Sequence, residues 1–409
     1  MSSAQHYKET GSREIPKEWQ IVSFTEVADF INGYGFKTSD WKTKGLPIVR
    51  IQNLNDPNAE FNYFDGTIDN KYYLENGDLL LSWSATLGVY VWNRRKAVLN
   101  QHIFKVIPKS GIDKEYLFYT SHKAIEDLKR RIHGSTMKHF KKRELDATPI
   151  LLPPLVEQRG ISRVLSCVAE AIQKTDAISE KAEMLKRGLM QKLLTRGIGH
   201  TKFRQTELGE IPKTWKVVKI NQISKVRRGA SPRPIGDVSY FSDRGRGWVR
   251  IADVTSTYKY LRKTSQYLSE KGVSKSIEVN PGALIMSICA TIGKPIIVDI
   301  EACIHDGFVW FSNLSENVDT EYLFYLLQSK EKEFAARKQT GTQGNLNTTI
   351  VGRTNIPVPP LPEQQKIASI LSSVDDKITK EKQRKQQLEQ LKKGLMQVLL
   401  IGKVRVKVD

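Results

Sequence analysis

Apolar positions are spaced in two different ways along this chain. Over residues 14–155 they come in short runs, such as 46–51 (Leu-Pro-Ile-Val-Arg-Ile) and 78–83 (Asp-Leu-Leu-Leu-Ser-Trp), separated by the turn dipeptides Asn32-Gly33, Asp65-Gly66 and Asn76-Gly77. Short β-rich runs punctuated in this way predict strands, and a helix is predicted over Lys114–Ile132. Beyond Pro153-Pro154 the spacing changes. Ile161, Leu165, Val168 and Ile172, then Ala182, Leu185, Leu189 and Leu193, follow at intervals of three and four, with a break over 175–179. That is the spacing of a coiled-coil seam. The pattern recurs after Pro359-Pro360 as Ile367, Leu371, Val374 and Ile378, then Leu388, Leu391, Leu395 and Leu399, with a break over 381–385. Continuous helices over 157–194 and 363–400 would each measure roughly 57 Å at ~1.5 Å per residue. Few globular helices run so long.

The recurrence extends to the whole chain. Glu14-Ile15-Pro16-Lys17-x-Trp19 returns at Glu210-Ile211-Pro212-Lys213-x-Trp215, 196 residues on. Ser82-x-Ser84-Ala85-Thr86-Leu87-Gly88 returns as Ser287-x-Cys289-Ala290-Thr291-Ile292-Gly293, and Tyr116-Leu117-Phe118-Tyr119 as Tyr322-Leu323-Phe324-Tyr325. Pro153-Pro154-Leu155-x-Glu157-Gln158 matches Pro359-Pro360-Leu361-x-Glu363-Gln364, and Leu185-Lys186-Arg187-Gly188-Leu189-Met190-Gln191 matches Leu391-Lys392-Lys393-Gly394-Leu395-Met396-Gln397. A period near 200 means a duplicated domain, not a solenoid. The expected fold is therefore mixed α+β, with two similar globular domains (14–155 and 210–360) and two long helices (156–196 and 361–401). Helices of equal length in a pseudo-twofold chain are expected to pair antiparallel and hold the domains at opposite ends. Residues 1–13 and 402–409 read as tails and 197–209 as a linker.

Charge points to a partner. The 409 residues carry 64 Lys+Arg against 44 Asp+Glu, a formal charge of +20, the footprint of a phosphate-binding protein. The excess is clustered, with ten basic against three acidic residues over 225–263 and eight against two over 123–143. Cys167, Cys289 and Cys303 have no metal-ligand spacing and cannot all pair, which fits a reducing cytoplasm. The start is polar and the longest apolar stretch, 283–293, is too short to span a bilayer, so no membrane association is expected.

These motifs, in this order and twice, resemble the specificity subunit of type I restriction–modification systems over nearly the whole chain. The resemblance implies two target-recognition domains that each read half of a bipartite double-stranded DNA site. It implies helices that set the spacing and dock two methyltransferase subunits, to which restriction/translocase subunits are added. No cofactor is expected on this chain; S-adenosylmethionine, ATP and Mg belong to those partners.

The residues themselves point away from catalysis. Around Pro153-Pro154 and Pro359-Pro360, Leu152, Val358, Leu155 and Leu361 can neither accept an amino hydrogen bond nor stack on a flipped base, so these dipeptides punctuate helices. Gly33-x-Gly35 and Gly245-x-Gly247 lack the rest of a dinucleotide fingerprint, Gly293-Lys294 lacks the rest of a phosphate loop, and no metal-ligand set is present. A stand-alone bipartite regulator is the alternative to a specificity subunit.

DNA-contact candidates follow from groove chemistry, in which Arg and Lys read guanine, Asn and Gln adenine, and Ser or Thr either. In the first domain these are Asn32, Tyr34 and Lys37 in a Gly-rich loop; Arg50, Gln52 and Asn53 after a strand; and Ser135, Thr136 and Lys138 after Gly134. In the second they are Arg228, Ser231 and Arg233; Arg250 and Asp253; and Thr342, Gln343 and Asn345 after Gly341. The loops 32–41 and 227–237 have no resemblance, and 259–274 is longer than its counterpart. Different loops on one scaffold predict an asymmetric target. The small residues of Ser84-Ala85-Thr86 and Cys289-Ala290-Thr291 read as close packing.

Overall fold

The computed structural model describes residues 7–10, 13–84, 86–132, 149–336 and 346–407. The chain forms two compact units, Met1–Asp176 with Gln383–Asp409, and Ala177–Lys382.

In the first unit two four-stranded sheets carry the apolar runs. One has the order Ala28–Asn32, Ile103–Pro108, Leu79–Ser82, Gly88–Val91, antiparallel throughout. Leu79–Ser82 is buried at all four positions, which explains its continuous rather than alternating apolar run. The other sheet has the order Asn62–Phe64, Leu46–Val49, Ala97–Leu99, Tyr73–Leu74, with Leu46–Val49 and Ala97–Leu99 parallel. The strand expected over 46–51 stops at Val49, because Ile51–Asn55 turns into a short helix. The helix Lys114–Ile132 stands where its pattern placed it.

The second unit repeats the plan with a five-stranded sheet (Lys225–Arg228, Phe308–Ser312, Ala283–Ser287, Pro295–Val298, Tyr260–Leu261). Its second sheet runs Phe241–Ser242, Gln266–Leu268, Arg246–Val249, Ala302–Ile304, Ile277–Val279. The longer stretch 259–274 adds the strand Tyr260–Leu261, parallel to Pro295–Val298.

The repeated motifs turn out to be the fastening of each domain to its helix. Trp19 and Trp215 are buried, and each indole N–H donates to the glutamate in a helix's first turn, Trp19 to Glu157 at 2.9 Å and Trp215 to Glu363 at 3.0 Å. The adjacent glutamines bridge two backbone segments. Gln158 accepts from the Asp113 amide and donates to the Pro153 carbonyl, while Gln364 accepts from Asp319 and donates to Pro359. A Trp, a Glu and a Gln at fixed places are thus required by geometry in both repeats.

Three tail or linker expectations are corrected. Tyr7–Thr10 pairs with Arg13–Pro16 as a strand, and Phe203–Thr206 in the linker pairs likewise with Gly209–Pro212. Arg405 near the C-terminus donates to both carboxylate oxygens of buried Glu157 at 2.8 and 2.9 Å.

The long helices span Leu155–Arg196 and Leu361–Leu399 without interruption. Antiparallel packing is visible inside each unit: Ile161 and Leu165 cluster with Leu395, Leu399 and Leu400 in the first, and Leu193 and Leu194 with Ile367 and Leu371 in the second. The expected break in the seam is corrected. Thr175, Ser179 and Ala182 are buried, so the heptad continues through polar residues, while Leu185 and Leu391 are 55% and 49% exposed. The seam position beside them belongs to Lys186 and Lys392. An apolar-only reading skipped Thr175 and Ser179 and took the neighbouring leucine. At the same level Lys385 pairs with Asp176 at 2.7 Å and Lys382 with Glu183 at 2.8 Å.

Candidate nucleic-acid interface

In both units the described loops with candidate residues lie at the carboxyl ends of two parallel strands, Leu46–Val49 and Ala97–Leu99 in the first and Arg246–Val249 and Ala302–Ile304 in the second. Gly33 and Gly229 make this possible. A Cβ on either would lie 2.0 or 2.2 Å from a carbonyl oxygen, that of Asn100 or His305, so only glycine lets the loop lie against that backbone. The loop is then zipped on, Tyr34 N donating to Leu99 O and Gln101 N to Tyr34 O in the first unit, and Ala230 N to Ile304 O in the second. The two loops, unlike in sequence, therefore share an anchor.

What the anchored loops present differs. In the first unit Asn32 Oδ1 accepts from Trp83 Nε1 at 3.2 Å, Trp83 lies against His102 with ring centroids 4.9 Å apart, and the partly exposed Tyr34 ring packs on Phe36 and Tyr72. Lys37 is exposed and caps a short turn through its backbone N–H. In the second unit Asp306 organises the loop. Its carboxylate accepts from Ser231 Oγ at 2.7 Å and Arg233 Nη2 at 2.9 Å, and its backbone carbonyl accepts from Arg228 Nε at 2.8 Å. Burial pushes the Asp306 carboxyl up, but the Ser231 bond, His305 and Arg233 outweigh it and hold it below the ordinary carboxylate range. One site is aromatic and amide in character; the other is built of guanidinium and carboxylate.

Arg50 and Arg250 occupy the same place, the residue after a parallel strand and before a short helix. Each guanidinium lies over an indole, Arg50 at 5.0 Å from the Trp41 centroid and Arg250 at 4.6 Å from that of Trp248. Arg250 also donates to Gln266 Oε1 at 2.7 Å.

Several expectations are corrected. Asn53 and Asp253 are buried, and their polar atoms are used by their own backbone: Asn53 bonds Arg50 N, Ala59 O and Glu60 O, and Asp253 bonds Arg250 N and Ser265 N. They shape the loop after the strand, and their side-chain polar atoms are engaged there. Gln52 beside Asn53 is exposed. Within the basic stretch 225–263, Lys259 is 5% exposed and bound to Glu321, Tyr325 and Ser372, and Arg246 and Arg262 pair with carboxylates. Ser135, Thr136, Lys138, Thr342, Gln343 and Asn345 lie outside the described residues, as does Ala85. Ser82 and Ser287 are fully buried and close the tight turns that follow by donating to Thr86 O and Thr291 O, a packing role for that motif.

Trp41, Trp83, His102, Trp248, His305 and Asp306 were missed. The signal was present in the repeat: Asn100-Gln101-His102 and His305-Asp306 each follow a three-residue apolar run, 97–99 and 302–304, at matching places. Among the described residues no group of His, Cys, Asp and Glu could hold a metal ion, and no helix is long and apolar enough to cross a membrane.

Two repeated α+β domains, each fastened to a long helix and each presenting polar and aromatic loops at strand ends, define a duplicated recognition protein. The chain belongs to the family of type I restriction–modification DNA specificity domains, whose model matches it twice, over 16–184 and 212–390. Its role is recognition without catalysis. It is 28% identical to the type I restriction enzyme MjaVIII specificity subunit of Methanocaldococcus jannaschii, over 98% of this chain and 97% of that one. It is 24% identical to the EcoBI specificity subunit of Escherichia coli, over 87% and 79%. Among solved structures, the S subunit from M. genitalium superposes with a TM-score of 0.61 at 13% identity, covering 96% of this chain and 98% of that one. A structure bearing on assembly and conformational transition of a type I system gives 0.59 at 17% identity, covering 96% and 100%.

Proposed function

We propose that the chain reads a bipartite, asymmetric double-stranded DNA target, one half-site per repeat, in the cytoplasm. It would dock two methyltransferase subunits and then restriction/translocase subunits, which bring S-adenosylmethionine, ATP and Mg. The observation carrying this reading is the contrast between the anchored loops, amide and aromatic in one repeat and guanidinium and carboxylate in the other, on one framework. Amides suit adenine edges and guanidiniums suit guanine, so unlike loops call for unlike half-sites.

Two measurements test it. Purified from its native host, the chain is expected to bring methyltransferase subunits with it; recovery alone would favour a stand-alone regulator. Exchange of residues 14–155 for the matching domain of a relative is expected to alter one half of the methylated sequence. Sequencing of methylated genomic sites reads the result, and change in both halves would overturn one-repeat, one-half-site readout.

A further inference from the structure

Among the described candidates, Arg50 and Arg250 alone are the same residue at the same place in both repeats. The surrounding loops have diverged, yet Val-Arg-Ile recurs at 49–51 and 249–251. The support beneath the guanidinium has diverged too. Trp41 comes from a loop, whereas Trp248 belongs to the strand leading into Arg250, where the first repeat has the buried Ile48. A framework arginine would be expected to keep its framework partner. Here the partner changed and the guanidinium stayed.

Both charges are also uncompensated. Among the described residues neither arginine forms an ion pair with a carboxylate, whereas Arg233, Arg246 and Arg262 nearby all do. Arg50 Nε is buried without a hydrogen-bond partner, and Arg250 bonds the neutral amide of Gln266. A half-buried guanidinium stacked on an indole, with donors to spare, fits an anion. A residue identical in both repeats cannot tell two different half-sites apart; it can grip what they have in common, the phosphodiester backbone.

We propose that Arg50 and Arg250 are a corresponding pair of phosphate contacts that seat the duplex in the same way on each repeat, leaving base discrimination to residues that differ, chiefly Asn32 and Tyr34 against Arg228 and Arg233. This rests on the DNA-reading function proposed above. It separates the two jobs within each site.

The test uses the full chain, a duplex enriched by the wild type from a random library, and an unrelated duplex of equal length, with affinity followed across a KCl series. Arg50→Gln and Arg250→Gln should each weaken both duplexes by an equal factor and flatten the slope of log K against log salt by about 0.9, the contribution of one phosphate. Arg50→Lys and Arg250→Lys should restore the slope, since a phosphate accepts a point charge where a guanine edge requires the planar fork. Libraries re-selected with each variant should return the wild-type sequence, and Arg233→Gln should weaken the enriched duplex selectively. An altered consensus with Arg50→Gln or Arg250→Gln, lysine variants no better than the glutamine ones, or unchanged binding would overturn the assignment while leaving the recognition function standing. Failure of the wild type to enrich any sequence would overturn both.

Discussion

Glu157 shows how much a single side chain can hold. It is 2% exposed and accepts from Trp19 and from two nitrogens of Arg405. Arg405 on the other side of the pair is 36% exposed and can turn to water, so removing Glu157 chiefly leaves the buried Trp19 N–H without an acceptor, at a cost of about 1–3 kcal/mol. Glu157→Ala is therefore expected to lower the urea midpoint by several times as much as Glu18→Ala, since Glu18 is a more exposed partner of the same guanidinium. Similar midpoints for the two would refute the fastening. His305 gives a pH dependence. Its Nδ1 accepts from Gly307 N at 2.9 Å, a bond available only to the neutral ring. Burial foremost, then the guanidiniums of Arg250, Arg233 and Arg228, lower its pKa below 6.5 despite Asp306. A histidine whose folded pKa is depressed contributes stability that is complete above 6.5 and is lost as pH falls from there through the folded value. Urea unfolding at about pH 7.5 and about pH 5.5 should show a smaller acid-side loss in His305→Gln than in the wild type; an equal loss would count against it.

Among elements, the long helices carry the clearest lesson. Their seam runs through Thr175 and Ser179 on one helix and past Lys186 and Lys392, so the burial phase is set by the whole heptad and not by each apolar residue. Leu165, fully buried, and Leu185, 55% exposed, separate the two readings. Leu165→Ala should cost about 2–5 kcal/mol, and Leu185→Ala no more than about 0.5 kcal/mol. Comparable losses in denaturant unfolding would restore Leu185 to the seam. Polar residues at seam positions sacrifice some stability and specify register. The buried Thr175 hydroxyl limits that cost by donating to Ala171 O within its own helix.

For the whole molecule, we propose that the length of the two long helices, Leu155–Arg196 and Leu361–Leu399, sets the number of unspecified base pairs in the target. Because the seam is continuous, an insertion should add a full heptad to keep its phase. Seven residues placed after Ala177 and after Gln383 add roughly 10 Å at ~1.5 Å per residue, or about three base pairs at ~3.4 Å each. Sequencing of methylated sites should show a spacer longer by that amount between unchanged half-sites. Undiminished methylation at the original spacing would show that the helices do not measure the DNA.

The sequence by itself determined the duplication, the mixed α+β class, the helix Lys114–Ile132 and the long helices, because these depend on local periodicity and on motifs whose partners recur at matching places. It also carried the family. The tertiary structure decided the rest. It settled which loops meet, since Gly33 and Gly229 act through carbonyls some 70 residues away in the chain. It decided which charges are spent, Lys259 being silenced by Glu321 and Arg50 left free of any ion pair among the described residues. And it decided that Asn53 and Asp253, chemically fit to read bases, are consumed in holding their own loops. Hydrogen-bond capacity is a property of a residue type, but its availability depends on what folding places beside it.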